Sequence, residues 1–206
     1  MDKFRNKYRI PSARLPGWDY GSNGTYFVTI CTKDMKCYFG SVKDGTMILS
    51  ELGKYAEQCW KDIPNHFPFV KLGAFVVMPN HVHGIIVIDK KLSGNGDGMV
   101  ETQNIASVRM EGDSDEKMED TQDIASVRLG GRNGGKFGQQ SGNLASIVRG
   151  FKVGVSKYAR VQDVGFEWQA RFHDHIVRDG ESFYRITKYI QENPANWPED
   201  RYCLLE

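Results

Sequence analysis

Phe75-Val-Val-Met-Pro-Asn-His-Val-His-Gly-Ile-Ile-Val-Ile88 consists of two apolar, β-branched runs broken at Pro79-Asn80. A Pro-Asn break between such runs reads as a tight turn, so the segment predicts two paired strands, Val70–Met78 and Val82–Asp89. Side chains alternate along a strand, which puts His81 and His83 on one face and Val82 on the other. Two imidazoles at that separation can offer two neutral nitrogens to a divalent metal. The other reading is a pair of polar residues at a solvent-facing strand edge, and the spacing alone favours neither.

Outward from this hairpin the periodicities continue. Tyr26-Phe-Val-Thr-Ile-Cys-Thr32 is β-branched and aromatic and predicts a strand, and Cys37–Val42 with Thr46–Leu49 around Asp44-Gly45 predicts a hairpin. After Ser50 as N-cap, Leu52, Tyr55, Ala56, Cys59 and Trp60 fall at helical spacing, with a stop expected at Pro64. A second helix is expected over Leu144–Arg160, a strand over Phe172–Val177, and a third helix over Glu181–Asn193, begun by Asp179 or Gly180 and ended by Pro194. Two βαβ halves of this kind predict an α+β fold: a ferredoxin-like antiparallel sheet with helices on one face, plus an extra C-terminal helix.

The chain has 206 residues, 40% hydrophobic and 26% charged, which excludes a wholly disordered, collagenous or coiled-coil protein and suits a single domain over 1–206. No run approaches the roughly 20 apolar residues of a membrane span, and the first residues lack a signal-peptide pattern, so a cytoplasmic protein is expected. The four cysteines lack CxxC spacing and are expected as reduced thiols. Residues 91–142 are rich in Gly, Ser, Asp and Asn and predict a long insertion without a core of its own. Within it Glu101–Met110 recurs as Asp120–Leu129, a local duplication too short for a solenoid.

The overall charge of +1 hides an uneven distribution: +4 over residues 1–90, −3 over 91–140 and zero over 141–206. Basic residues gather near the start (Lys3, Arg5, Lys7, Arg9, Arg14) and again at Arg149, Lys152, Lys157 and Arg160. Either group can neutralise phosphates or simply form a solvated face. A second His-x-His, His173-Asp-His175, has an acid between its imidazoles and is read as surface or supporting histidines. On the third predicted helix Tyr189 and Asn193 stand one turn apart on one face, so a phenol and an amide oxygen can share a site. Tyr184 is the weaker candidate, and Tyr158 is read as packing or nucleic-acid contact.

These residues resemble the single-tyrosine HUH transposases, in particular the REP-associated tyrosine transposases and their insertion-sequence relatives. The resemblance rests on Arg14-Leu-Pro-Gly-Trp-Asp-Tyr20, Val77-Met-Pro-Asn-His-Val-His83, Ile147-Val-Arg-Gly-Phe-Lys152, Trp168-Gln-Ala-Arg-Phe172 and Tyr189-Ile-Gln-Glu-Asn-Pro-Ala-Asn-Trp197. It implies a divalent ion, Mg²⁺ or Mn²⁺, on His81 and His83, with Asn193 at the position of the third ligand. It implies that Tyr189 attacks DNA to leave a 5′-phosphotyrosine and a free 3′-hydroxyl. Single-stranded DNA beside a hairpin-forming repeat is the implied substrate, with Arg149, Lys152, Lys157 and Arg160 taken as backbone contacts; both monomers and homodimers occur among such proteins. Two rivals stand beside this reading: a metal-dependent phosphoesterase in which Tyr189 is merely packed, and a non-catalytic DNA-binding module.

Overall fold

The computed structural model describes residues 14–92, 142–200 and 202–203, with the backbone of two short paired strands, β1 (Lys3–Phe4) and β2 (Lys7–Tyr8). The insertion expected at 91–142 lies outside the described residues except at its two ends. Strand β3 (Gly24–Cys31) is followed by the hairpin β4 (Gly40–Lys43) and β5 (Thr46–Leu49). Helices α1 (Glu51–Lys61) and α2 (Ile63–His66) lead into β6 (Val70–Met78) and β7 (His81–Ile88). Then come α3 (Leu144–Val161), β8 (His173–Val177) and α4 (Gly180–Glu192).

The protein is α+β. Its main sheet has the order β6-β7-β3-β8 with every neighbouring pair antiparallel, the arrangement expected of a ferredoxin-like sheet. Alternation decides what each face carries. Tyr26, Val28 and Ile30 of β3 are fully buried beneath α1 and α3, where Trp60 of α1 meets Phe151 of α3 edge-on at 5.3 Å between ring centroids. Gly84 of β7 opens the space into which Trp60 fits. The opposite face carries His83 opposite Thr29 and His81 opposite Cys31, and α4 covers its β6 and β7 side. Two helices therefore pack on one face and the last helix on the other.

Local signals set the helix ends. Ser50 accepts from the Gly53 N–H at 3.0 Å, and Asp179 accepts from the Ser182 N–H at 2.7 Å, so Asp179 rather than Gly180 begins the last helix. Pro64 does not end α1: the helix stops at Lys61, and Pro64 sits in the first turn of α2, where its missing N–H costs nothing. Asn143 and Ser146 form a reciprocal capping box at the start of α3, with contacts of 2.9 and 3.0 Å. Asn143→Ala is expected to lower stability by about 1 kcal/mol, read as a lower denaturation midpoint with an unchanged slope.

No helix among the described residues is long and apolar enough to cross a membrane.

Candidate functional site

The turn between β6 and β7 builds the site's floor. Asn80 is fully buried; its amide donates to the carbonyls of Met35 at 2.9 Å and Tyr202 at 2.8 Å. That orientation leaves Asn80 Oδ1 to accept from His81 Nδ1 at 2.8 Å. An amide oxygen can only accept, so the His81 proton sits on Nδ1 and the lone pair on Nε2. Such a partner fixes tautomer and ring direction as metal-binding imidazoles need.

His83 is held on both sides. Its Nδ1 lies 2.9 Å from Thr29 Oγ1, on the strand directly opposite, and its Nε2 lies 3.1 Å from the Tyr189 hydroxyl. Either tautomer satisfies both contacts, since each hydroxyl can donate or accept; the one that keeps the Nε2 lone pair has Nδ1–H donating to Thr29 and the phenol donating to Nε2. The two imidazole centroids are 4.3 Å apart, and both rings are buried. Tyr189, by contrast, is 42% exposed, with its ring against His83 and Phe27. Its hydroxyl is directed at His83 while part of the residue remains open to solvent.

Asn193, one turn beyond Tyr189, is 2% exposed. Its amide donates to Asp200 Oδ2 at 2.9 Å, while its Oδ1 is buried with no hydrogen-bond partner among the described residues. The Tyr202 N–H donates to the other Asp200 oxygen at 2.8 Å. His81, His83 and Asp200 each offer a ligand atom, all within 4.8 Å of one another. Two neutral nitrogens and a carboxylate make a donor set suited to a divalent cation. The orphaned amide oxygen of Asn193 beside them is a further hard donor, so the residues present fit a divalent ion.

Asp200 was not among the residues singled out in the sequence. It follows a short 3-10 turn, Trp197–Glu199, begun after Pro194, which folds the chain back against the end of α4. The only sequence signal was two prolines shortly after a helix end, which marks a reversal without saying what it approaches. Thr29 and Asn80, which orient the rings, were likewise missed.

The other expected residues lie elsewhere. Arg149, Lys157 and Arg160 are exposed on α3, across the sheet from the histidines. Lys152 turns inward, donating to the carbonyls of Gln169 at 2.8 Å and Arg171 at 2.6 Å; burial lowers its pKa to about 8. Its ammonium thus ties the loop before β8 to α3. Tyr158 stacks on Tyr55 at 4.0 Å, and Tyr184 is 71% exposed. His173 and His175 are exposed on the edge strand, on the same sheet face as His81 and His83.

The fold and the site together define an antiparallel α+β protein with a candidate divalent-metal centre beneath a tyrosine-bearing last helix. In sequence, the chain is 36% identical over 191 residues to a protein of Haemophilus influenzae described as "Uncharacterized protein", covering 92% of this chain and 91% of that one. The chain belongs to the same family as that protein. No family model matches it. A solved structure described as "Structure of the REP associates tyrosine transposase bound to a REP hairpin" aligns over 96% of this chain and 74% of that chain, at 17% identity and a TM-score of 0.49.

Proposed function

We propose that this protein is a metal-dependent, single-stranded DNA nicking and strand-transfer enzyme that works through a 5′-phosphotyrosine. The observation that carries the reading is the approach of the Tyr189 hydroxyl to within 3.1 Å of His83 Nε2, beside the His81, His83 and Asp200 group. The motifs quoted from the sequence support it independently. His81, His83 and Asp200, with Asn193 alongside, would hold Mg²⁺ or Mn²⁺. When bound, the ion would supply positive charge beside the scissile phosphate, where negative charge develops on a non-bridging oxygen.

The chain's own residues account for the rest. Tyr189 reacts by forming a bond from its phenolic oxygen to phosphorus as the bond from phosphorus to the 3′ oxygen breaks. The phenol gives up one proton and the 3′ oxygen takes one up, so the step is balanced. One phosphodiester replaces another of similar energy, and rejoining needs no nucleotide cofactor. The ring of Phe27, packed against both His83 and Tyr189, limits where the phenol can point. Arg149, Lys157 and Arg160 are proposed as phosphate contacts away from the reacting bond, and the strand is proposed to flank a hairpin-forming repeat, in the cytoplasm.

The test is incubation of the protein with Mn²⁺ and labelled single-stranded oligonucleotides from the DNA flanking its gene. A denaturation-resistant protein–DNA adduct is expected, and its absence with and without metal defeats the proposal. The ligand set has its own check. Asp200→Ala is expected to weaken Mn²⁺ binding by more than tenfold in a calorimetric or paramagnetic titration. An unchanged dissociation constant would remove Asp200 from the site.

A further inference from the structure

A polar cleft of ≈ 580 Å³ runs along the outer edge of β8, between the segment around Arg14–Tyr20 and the start of α4. Arg14, Arg178 and Arg185 line it, with Tyr20, Leu15, Pro16 and Ile176 as apolar wall. Arg178 and Arg185 are exposed, whereas the Arg14 guanidinium lies over the rings of Tyr20 and Phe172, at 5.2 and 5.5 Å from their centroids.

Asp174 also lines this cleft. It stands opposite Val28, so its carboxylate turns toward the buried side of the sheet and is 8% exposed. The Tyr20 hydroxyl, which lines the same cleft, accepts from the Leu15 N–H at 2.9 Å. Asp174 Oδ1 has no hydrogen-bond partner among the described residues. A buried carboxylate oxygen without a donor is costly, and its presence in a ligand-sized cleft points to a donor brought from outside.

The next residue connects this cleft with the candidate site. His175 lines it from the other sheet face, opposite Phe27, whose ring touches both His83 and Tyr189. A strand of nucleic acid lying across the site would meet this edge next.

Resting on the function proposed above, we propose that the β8-edge cleft takes one unpaired nucleotide of single-stranded DNA, its phosphates on Arg178 and Arg185 and an amino group of its base on Asp174 Oδ1. Guanidinium groups hold phosphate, and apolar and aromatic walls accept any base. The carboxylate adds discrimination. Adenine, cytosine and guanine each offer an exocyclic amino donor, whereas the one ring N–H of thymine is flanked by two carbonyl oxygens that a carboxylate repels.

The experiment uses the full chain carrying Tyr189→Phe, without metal, so that binding is read apart from cleavage. Fluorescence anisotropy with short dA, dC and dT homopolymers is measured across a salt series. The expected result is at least roughly tenfold weaker binding of dT than of dC or dA, with that ratio collapsing in Asp174→Asn. Replacing both Arg178 and Arg185 with alanine should weaken binding to all three and lower the slope of log affinity against log salt by about 1.4, at ~0.7 per phosphate. Because both arginines are exposed, this variant tests the cleft even if Asp174→Asn folds poorly. An unchanged slope in the arginine variant, or an unchanged ratio in a folded Asp174→Asn, overturns the proposal, as does self-association along the β8 edge that DNA fails to displace. The Tyr189 adduct, assayed at saturating DNA in the arginine variant with its tyrosine restored, separates the two readings: adduct without the slope change sinks the cleft alone.

Discussion

Tyr189→Phe is expected to abolish the covalent DNA adduct, a loss of at least about 10³-fold, equivalent to about 4 kcal/mol of barrier. The substitution removes one oxygen and keeps the ring that packs on Phe27 and His83. The hydroxyl's contact with His83 Nε2 is lost at a partly exposed position, so stability should change by no more than about 1 kcal/mol. Mn²⁺ affinity and DNA binding should stay within a few-fold of the parent. The assay is a denaturing gel of labelled oligonucleotide with Mn²⁺, scored for adduct and for free cleaved product. A phosphoesterase with a bystander tyrosine would keep cleaving without an adduct. A non-catalytic binding module would give neither product with either protein.

Gly84→Ala is expected to destabilise the described structure strongly through a single added methyl group. A Cβ there would overlap Trp60 Cζ2 and stand 2.9 Å from both Cε2 and Cη2. Trp60 cannot withdraw: it is fully buried, edge-on to Phe151 and stacked at 5.9 Å on Phe75. Overpacking of a dense interior costs about 1–3 kcal/mol or more, a large share of the about 5–15 kcal/mol that holds a domain folded. A fall in melting temperature of roughly 4–10 °C should follow for a chain of this size. Gly165→Ala, where an added Cβ meets nothing within 4 Å, is the control and should shift the melt by no more than about 2 °C. Equal melts for the two variants would mean that Trp60 does not sit against β7 as described.

How far the sequence could be read depends on the range of the forces involved. His81 and His83 sharing a face follows from the pleat, and Ser50 and Asp179 as helix starts follow from unsatisfied N–H groups within one turn. Pro64 was misread because a proline is equally at home after a helix and in the first turn of a new one. Asp200 was invisible because no spacing rule joins a residue beyond a helix to histidines in the middle of the chain. Lys152 looked like a DNA contact by charge, yet its fate was set by two carbonyls of a loop that only folding brings near.

What the amino-acid order determines by itself is local: which stretches are strands or helices, and which side chains point together, because backbone geometry repeats every two or 3.6 residues. Tertiary structure alone decided that Tyr189 meets His83, that Asp200 joins the histidines, and that the basic stripe of α3 lies across the sheet from them. Those choices belong to packing, since burying Trp60 beneath Gly84 commits α1 and α3 to one face and leaves the other for α4 and the segment that follows it.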